Sequence, residues 1–156
     1  MTDDTSTGTD DTGTGTDNTG TVAARKHLQR THADLFDAVW DCADAVAESW
    51  DDEPSQREAV VVPFTALLRK RDLLTRLPAV LADAVDAAGY ELAAEPVAAP
   101  PYVVVTSTGP VCRATVSEGR LVVSLNCFDI DRGADGVRYV RRSGDARTAL
   151  EISLIA

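Results

Sequence analysis

A change of period near the middle of the chain constrains its fold more than any other feature. Before Pro96 the apolar residues recur every three or four positions, the spacing of a buried helix face. After Pro101 they alternate, the spacing of a half-buried strand. Pro96, Pro100 and Pro101 punctuate the boundary. Helices first and strands second predict an α+β fold, with N-terminal helices packed on one face of a C-terminal antiparallel sheet of four to five strands. The 156 residues suit one such domain, and a hydrophobic fraction of 44% can fill its core. No internal repeat interrupts this pattern.

In residues 22–50, Leu28, His32, Leu35, Phe36, Val39, Ala43, Val46 and Trp50 share one helix face. Asp34, Asp37, Asp41, Asp44 and Glu48 lie opposite. That span is long for a globular helix, so a start at Thr31 is also open, with Thr31 as N-cap and Asp34 in the first turn. Asp51-Asp52-Glu53-Pro54 ends it. Ser55-Gln56-Arg57-Glu58 fits a capping box opening a second helix to about Arg71. Pro63, after three valines, predicts a kink or a new helix start there. A third helix is expected over 75–88, stopped by Gly89 at C′.

Strands are expected over 102–106, 111–116, 121–128, 137–141 and 150–155, with short connections that imply antiparallel pairing. If 117–120 is a hairpin turn, Val116 pairs with Leu121 and Cys112 with Leu125. If Thr108-Gly109 is a two-residue loop, Val104 lies opposite Arg113. Both registers put Val103, Val105, Cys112, Ala114, Val116, Leu121, Val123, Leu125 and Cys127 on the core face. The alternation extends to Val137, Tyr139, Leu150, Ile152 and Leu154. The other face carries Tyr102, Val104, Arg113, Val122, Asn126, Phe128, Arg138 and Val140, with threonines and serines between them. Arginine mixed with exposed apolar residues makes it the candidate partner surface, through Tyr102, Val104, Arg113, Val122, Asn126 and Arg138. A homodimer or protein partner is expected there, with a small anionic ligand as the lesser alternative.

Charge divides the same way. The chain has 25 acids and 15 bases, of which 13 are arginine, for a net charge of −10. Five aspartates fall in residues 1–21, a Thr/Asp/Gly stretch with no apolar residue after Met1, which predicts a disordered acidic tail and a single domain over 22–156. Nine acids and one base lie between Asp34 and Glu58, whereas from Val97 onward seven arginines face six acids. This acid-rich, lysine-poor profile resembles the cytoplasmic proteins of salt-in haloarchaea, where surplus carboxylates keep a chain hydrated at high salt. The acidity disfavours nucleic acid and anionic membrane surfaces. Thr2-Asp3-Asp4 after Met1 is unlike a secretory leader, and no apolar run reaches membrane-spanning length. Cys42, Cys112 and Cys127 form no CxxC pair, as expected of free thiols in the cytoplasm.

No catalytic or cofactor motif stands out. His27 and His32 are five apart rather than the four that puts two ligands on one side of a helix, so His32 reads as a packed, hydrogen-bonded side chain. Cys112 and Cys127 read as buried thiols at a diagonal too long for a bridge. Asp129-Ile130-Asp131 before Gly133 lacks the remaining ligands of a calcium loop and reads as a turn. Arg69-Lys70-Arg71 ends the second helix, where cations suit the dipole. No phosphate-binding glycine loop or nucleophile elbow is present. The expectation is therefore a non-enzyme with no cofactor and no metal. Two alternatives remain. A winged-helix-like DNA-binding regulator would read the groove with residues 77–88, but Asp83 and Asp86 lie there and no base follows Arg76. A small-ligand-binding protein would need a polar-lined pocket between helices and sheet.

The stretch Ala94-Glu95-Pro96-Val97-Ala98-Ala99-Pro100-Pro101-Tyr102-Val103-Val104-Val105-Thr106-Ser107-Thr108-Gly109-Pro110, followed by Gly119-Arg120-Leu121-Val122-Val123, resembles an uncharacterised domain family found in haloarchaea. The resemblance covers roughly residues 22–156. It implies a lineage, with no assigned activity and no catalytic residues.

Overall fold

The computed structural model describes residues 18–156. The tail expected over 1–21 lies outside the described residues up to position 17. Its last four residues depart from that expectation, because helix α1 (Asn18–Thr31) begins at Asn18. Thr21, Ala24 and Leu28 are all buried, so the inward stripe starts one turn earlier than the aliphatic residues alone suggest.

The helix expected over 22–50 is two helices, α1 and α2 (Ala33–Glu48), bent at His32 with φ −123° and ψ 23°. Thr31 is not an N-cap. Its Oγ1 donates to the His27 carbonyl one turn back at 2.8 Å, a competing bond found in bent helices. The bend lets α1 cross the later helix α4 and the sheet edge, while α2 lies along α3. The acids of α2 face solvent as expected, and Leu35, Phe36, Val39, Cys42, Ala43 and Val46 face the core.

Helix α3 (Glu58–Lys70) starts without the capping box: Arg57 is the N-cap and no side chain caps the first turn. The helix also runs through Pro63, neither splitting nor restarting. Proline at 63 leaves the carbonyl of Ala59, four residues back, without its helical donor. The indole Nε1–H of Trp50 donates to that carbonyl at 3.1 Å. The donor missing from the helix is thus supplied from the end of the preceding connection. A 3₁₀ turn (Leu74–Arg76) leads into α4 (Leu77–Ala87). Gly89 follows at φ +86°, with its N–H on the Asp86 carbonyl and the Tyr90 N–H on that of Val85, the Schellman stop expected of a C′ glycine.

The strands are β1 (Val103–Val105), β2 (Pro110–Val116), β3 (Gly119–Leu125), β4 (Phe128–Gly133), β5 (Gly136–Arg141) and β6 (Leu150–Ile155), with a one-turn helix, α5 (Ala146–Ala149), before β6. An antiparallel sheet is ordered β1-β2-β3-β6, and β4 and β5 form a separate two-stranded sheet. The fold is α+β, helices N-terminal and sheet C-terminal. The first hairpin turns one residue earlier than expected, at Ser107-Thr108, and the second is tighter, at Ser117-Glu118. Val116 pairs with Gly119 and Cys112 with Val123, while Val104 pairs with Val111. Every pairing is displaced by two residues, and an even displacement leaves each side chain on its face. Gly119 makes the second turn possible, since a Cβ there would lie 2.3 Å from the Ile155 carbonyl oxygen. The core face is as read: Val103, Cys112, Ala114, Val116, Leu121, Val123, Leu125, Cys127 and Leu150 are buried in one cluster with the helices.

Candidate functional site: the outer face of the sheet

The residues expected on the outer face divide between two sheets. Tyr102, Val104, Arg113 and Val122 are together. Val104 and Val111 are cross-strand partners in one row, continued by Ser124 and Glu151; Arg113, Val122 and Ser153 form the next, with the Arg113 N–H on the Tyr102 carbonyl. Val104, Val111 and Val122 are half-buried and lie outside the core cluster that the helices cover. Asn126 sits at the end of the face, just past β3, and its Nδ2 donates to Glu151 Oε1 at 3.1 Å.

Arg138 and Phe128 are corrections. Arg138 belongs to β5, opposite Asp131 in the separate hairpin, and pairs at 3.8 Å with Glu53. It borders a depression shared with Trp50, Asp51 and Asp52. Phe128 is 1% exposed and packs on Trp50 and Phe64, at centroid distances of 5.5 and 5.7 Å. The segment 128–133 was expected to be strand end and turn. It is a strand because Phe128 and Ile130 turn inward beside Arg141 and Tyr139 while Asp129 and Asp131 turn out.

Sequence reasoning missed Val111, read without a face, and Arg120, read as a turn residue. Alternation with the buried Cys112 was the signal for Val111, and Gly119 was the signal for Arg120. The Gly119 φ of +143° closes the hairpin on Ser117-Glu118 and puts Arg120 in β3 opposite Thr115. Thr115, Arg120, Arg113 and Tyr102 then border an opening of about 370 Å³ with Ala93, Ala94, Ala114 and Pro101. The opening exists where β1 leaves this edge of β2 and residues 92–93 meet it again, through the Leu92–Val116 bridge. Tyr102 accepts from the Arg113 N–H, and the Ala93 N–H bonds the Thr115 carbonyl at 3.2 Å; between them the chain loops away.

The other candidates have structural roles. His32 Nε2 and Asp83 Oδ2 are 2.6 Å apart, tying the α1–α2 bend to α4. The His27 side chain, on α1, has no such partner among the described residues. Cys42, Cys112 and Cys127 are free and buried. Burial pushes the thiols of Cys112 and Cys127 up to about 12, and raises that of Cys42 against the opposing Arg71 guanidinium. Arg71, from the basic cluster ending α3, reaches the Cys42 sulfur at 3.4 Å. Among the described residues no group of three His, Cys, Asp or Glu could hold a metal ion. The space between helices and sheet contains a cavity of about 10 Å³ walled by apolar side chains, including Phe36, Val80, Cys112 and Leu150, and by Pro110. That is scarcely one water's volume and offers a ligand no polar contact. Helix α4, the reader in a winged-helix arrangement, packs against α1 and β2, with Leu77, Val80, Leu81, Ala84 and Val85 buried. No helix among the described residues is long and apolar enough to cross a membrane.

Residues 22–155 match a family described as Domain of unknown function (DUF7988). No curated protein and no solved structure matches the chain.

Proposed function

We propose, for a chain that belongs to the DUF7988 family of unknown function, a cytoplasmic, non-enzymatic role as an interaction module that dimerises through the outer face of its four-stranded sheet. The stripe of Val104, Val111 and Val122 carries this reading. One face of the sheet is sealed by helices, whereas this stripe lies outside the core, between Tyr102 and Arg113 on one side and Ser124 and Glu151 on the other. Apolar residues rimmed by polar ones are the usual anatomy of an association surface. Strand spacing and rise give the face an area of about 400 Å², small for a permanent interface, so the dimer forms in a concentration-dependent way. A non-enzymatic role is supported by the apolar filling between helices and sheet and by thiols that burial keeps protonated.

Light scattering across a concentration series in molar KCl tests this reading. The average mass should rise toward two chains, and Val122→Asp should hold it at one. A wild-type protein that stays at one chain mass throughout, or a Val122→Asp variant that still dimerises, overturns it.

A further inference from the structure

We propose that the opening between Ala93–Ala94 and Pro101–Tyr102 binds a small organic phosphate monoester, with the phosphate held by Arg113 and Arg120 and the organic group lying against Pro101 and Tyr102. The site goes beyond the dimerisation reading and is complete within one chain.

Three observations carry it. First, Arg113 pairs with Val122 and Arg120 with Thr115, so the two arginines stand on one face of adjacent strands at a diagonal, about 7 Å apart at the backbone. An oxyanion between them can take a fork from each guanidinium. Second, neither side chain has an ion pair or a hydrogen bond among the described residues, although the chain carries 25 acids. Arg138, Arg141 and Arg142 all have carboxylate partners. Two like charges set together without a carboxylate repel each other, and a dianion relieves that repulsion. Third, the arginines border a concave space of about 370 Å³ whose other lining residues are Ala93, Ala94, Pro101, Tyr102, Ala114 and Thr115. Mostly apolar walls with a few polar groups are what a small organic molecule needs. Phosphate fits better than a carboxylate because its dianion balances two guanidinium charges and its three terminal oxygens can take a fork from each.

The test is a titration of the full chain followed by amide chemical shifts, with inorganic phosphate, phenyl phosphate and phenol as separate probes. Phenyl phosphate should move the resonances of Tyr102, Arg113, Thr115 and Arg120 and bind more tightly than inorganic phosphate; phenol should not bind. Arg113→Gln combined with Arg120→Gln should weaken phenyl phosphate at least about tenfold, the loss expected for a charge-assisted fork. Arg132→Gln, an exposed arginine of the separate hairpin, should leave it unchanged. Shifts spread over the surface, or equal binding by the double variant with its spectrum otherwise intact, overturn the proposal. So does the absence of binding at millimolar phenyl phosphate. Val104→Ser, which opens the apolar stripe without placing a charge beside Arg113, should bind as the wild type does, so failure of this site and failure of the dimer are read separately.

Discussion

Trp50→Phe removes the indole N–H that the Ala59 carbonyl accepts, and its cost depends on which residue stands at position 63. With Pro63 in place, the carbonyl loses its only side-chain donor and the helix has none to offer. A half-buried carbonyl left unpaired costs about 1 kcal/mol, the low end of the range because solvent reaches part of this site. The variant also reduces the ring contact with Phe128, 5.5 Å away between centroids, because a phenyl ring is smaller than an indole. In a Pro63→Ala background position 63 again has a backbone N–H for Ala59, so Trp50→Phe should cost the reduced ring contact alone. The ring term is common to both backgrounds and cancels in the cycle. A coupling energy of about 1 kcal/mol between positions 50 and 63 should remain. Urea unfolding of the wild type, the two single variants and the double variant, followed by circular dichroism, measures it through the midpoints at a shared slope. A coupling within about 0.3 kcal/mol of zero would refute the reasoning, because the carbonyl would then be served equally well without the indole.

Two further predictions concern the hairpin and the buried thiols. The Arg141 side chain is 16% exposed, stacks 4.0 Å from the Trp40 ring centroid and donates to the carbonyls of Trp40, Cys127 and Arg142. Arg141→Met should therefore cost about 2–4 kcal/mol in urea unfolding. Asp44, its 51%-exposed partner, should cost less than about 1 kcal/mol when replaced by alanine; equal losses would mean that the ion pair, and not the carbonyl lattice, holds the hairpin. Burial raises the Cys112 and Cys127 thiols from 9.0 to about 12, so between those values the unfolded chain gives up protons that the folded chain keeps. Stability should fall as pH rises above about 9, and Cys112→Val with Cys127→Val should flatten that fall. Wild-type and doubly substituted proteins with the same pH dependence of melting between 8 and 10.5 would refute it.

The core face of the sheet was legible because side-chain alternation survives an error of two residues in register. Val116 was paired with Leu121 rather than Gly119, yet every core residue of β2 and β3 was on its correct side. The site was legible in part for the same reason. Tyr102, Val104, Arg113 and Val122 came out together, while Arg120 did not, because its place depends on which residues close the turn. Arg138 was misplaced by a different error. A strand with the right alternation carries no mark of the sheet it joins, and β5 pairs only with β4, a segment whose aspartates read as a turn. The capping box at Ser55 failed because the helix starts at Glu58, past the serine's reach.

By itself the sequence determined what local periodicity and composition can determine: helices before strands, the inward residues of each, the stop at Gly89, and acid concentrated on α2. These follow from backbone geometry repeated every two or every 3.6 residues. Tertiary structure alone decided where the first long helix bends, how a helix keeps Pro63, which sheet Arg138 joins, and that Arg113 and Arg120 share one opening. Each of those depends on a partner remote in sequence or on a turn closed one way among several. Asp83 holds the bend from 51 residues away, Trp50 serves Ala59 from the connection between α2 and α3, and Ala93 and Tyr102 leave β2 uncovered between them. Contacts of that kind leave no period in the chain, so no spacing rule could have announced them.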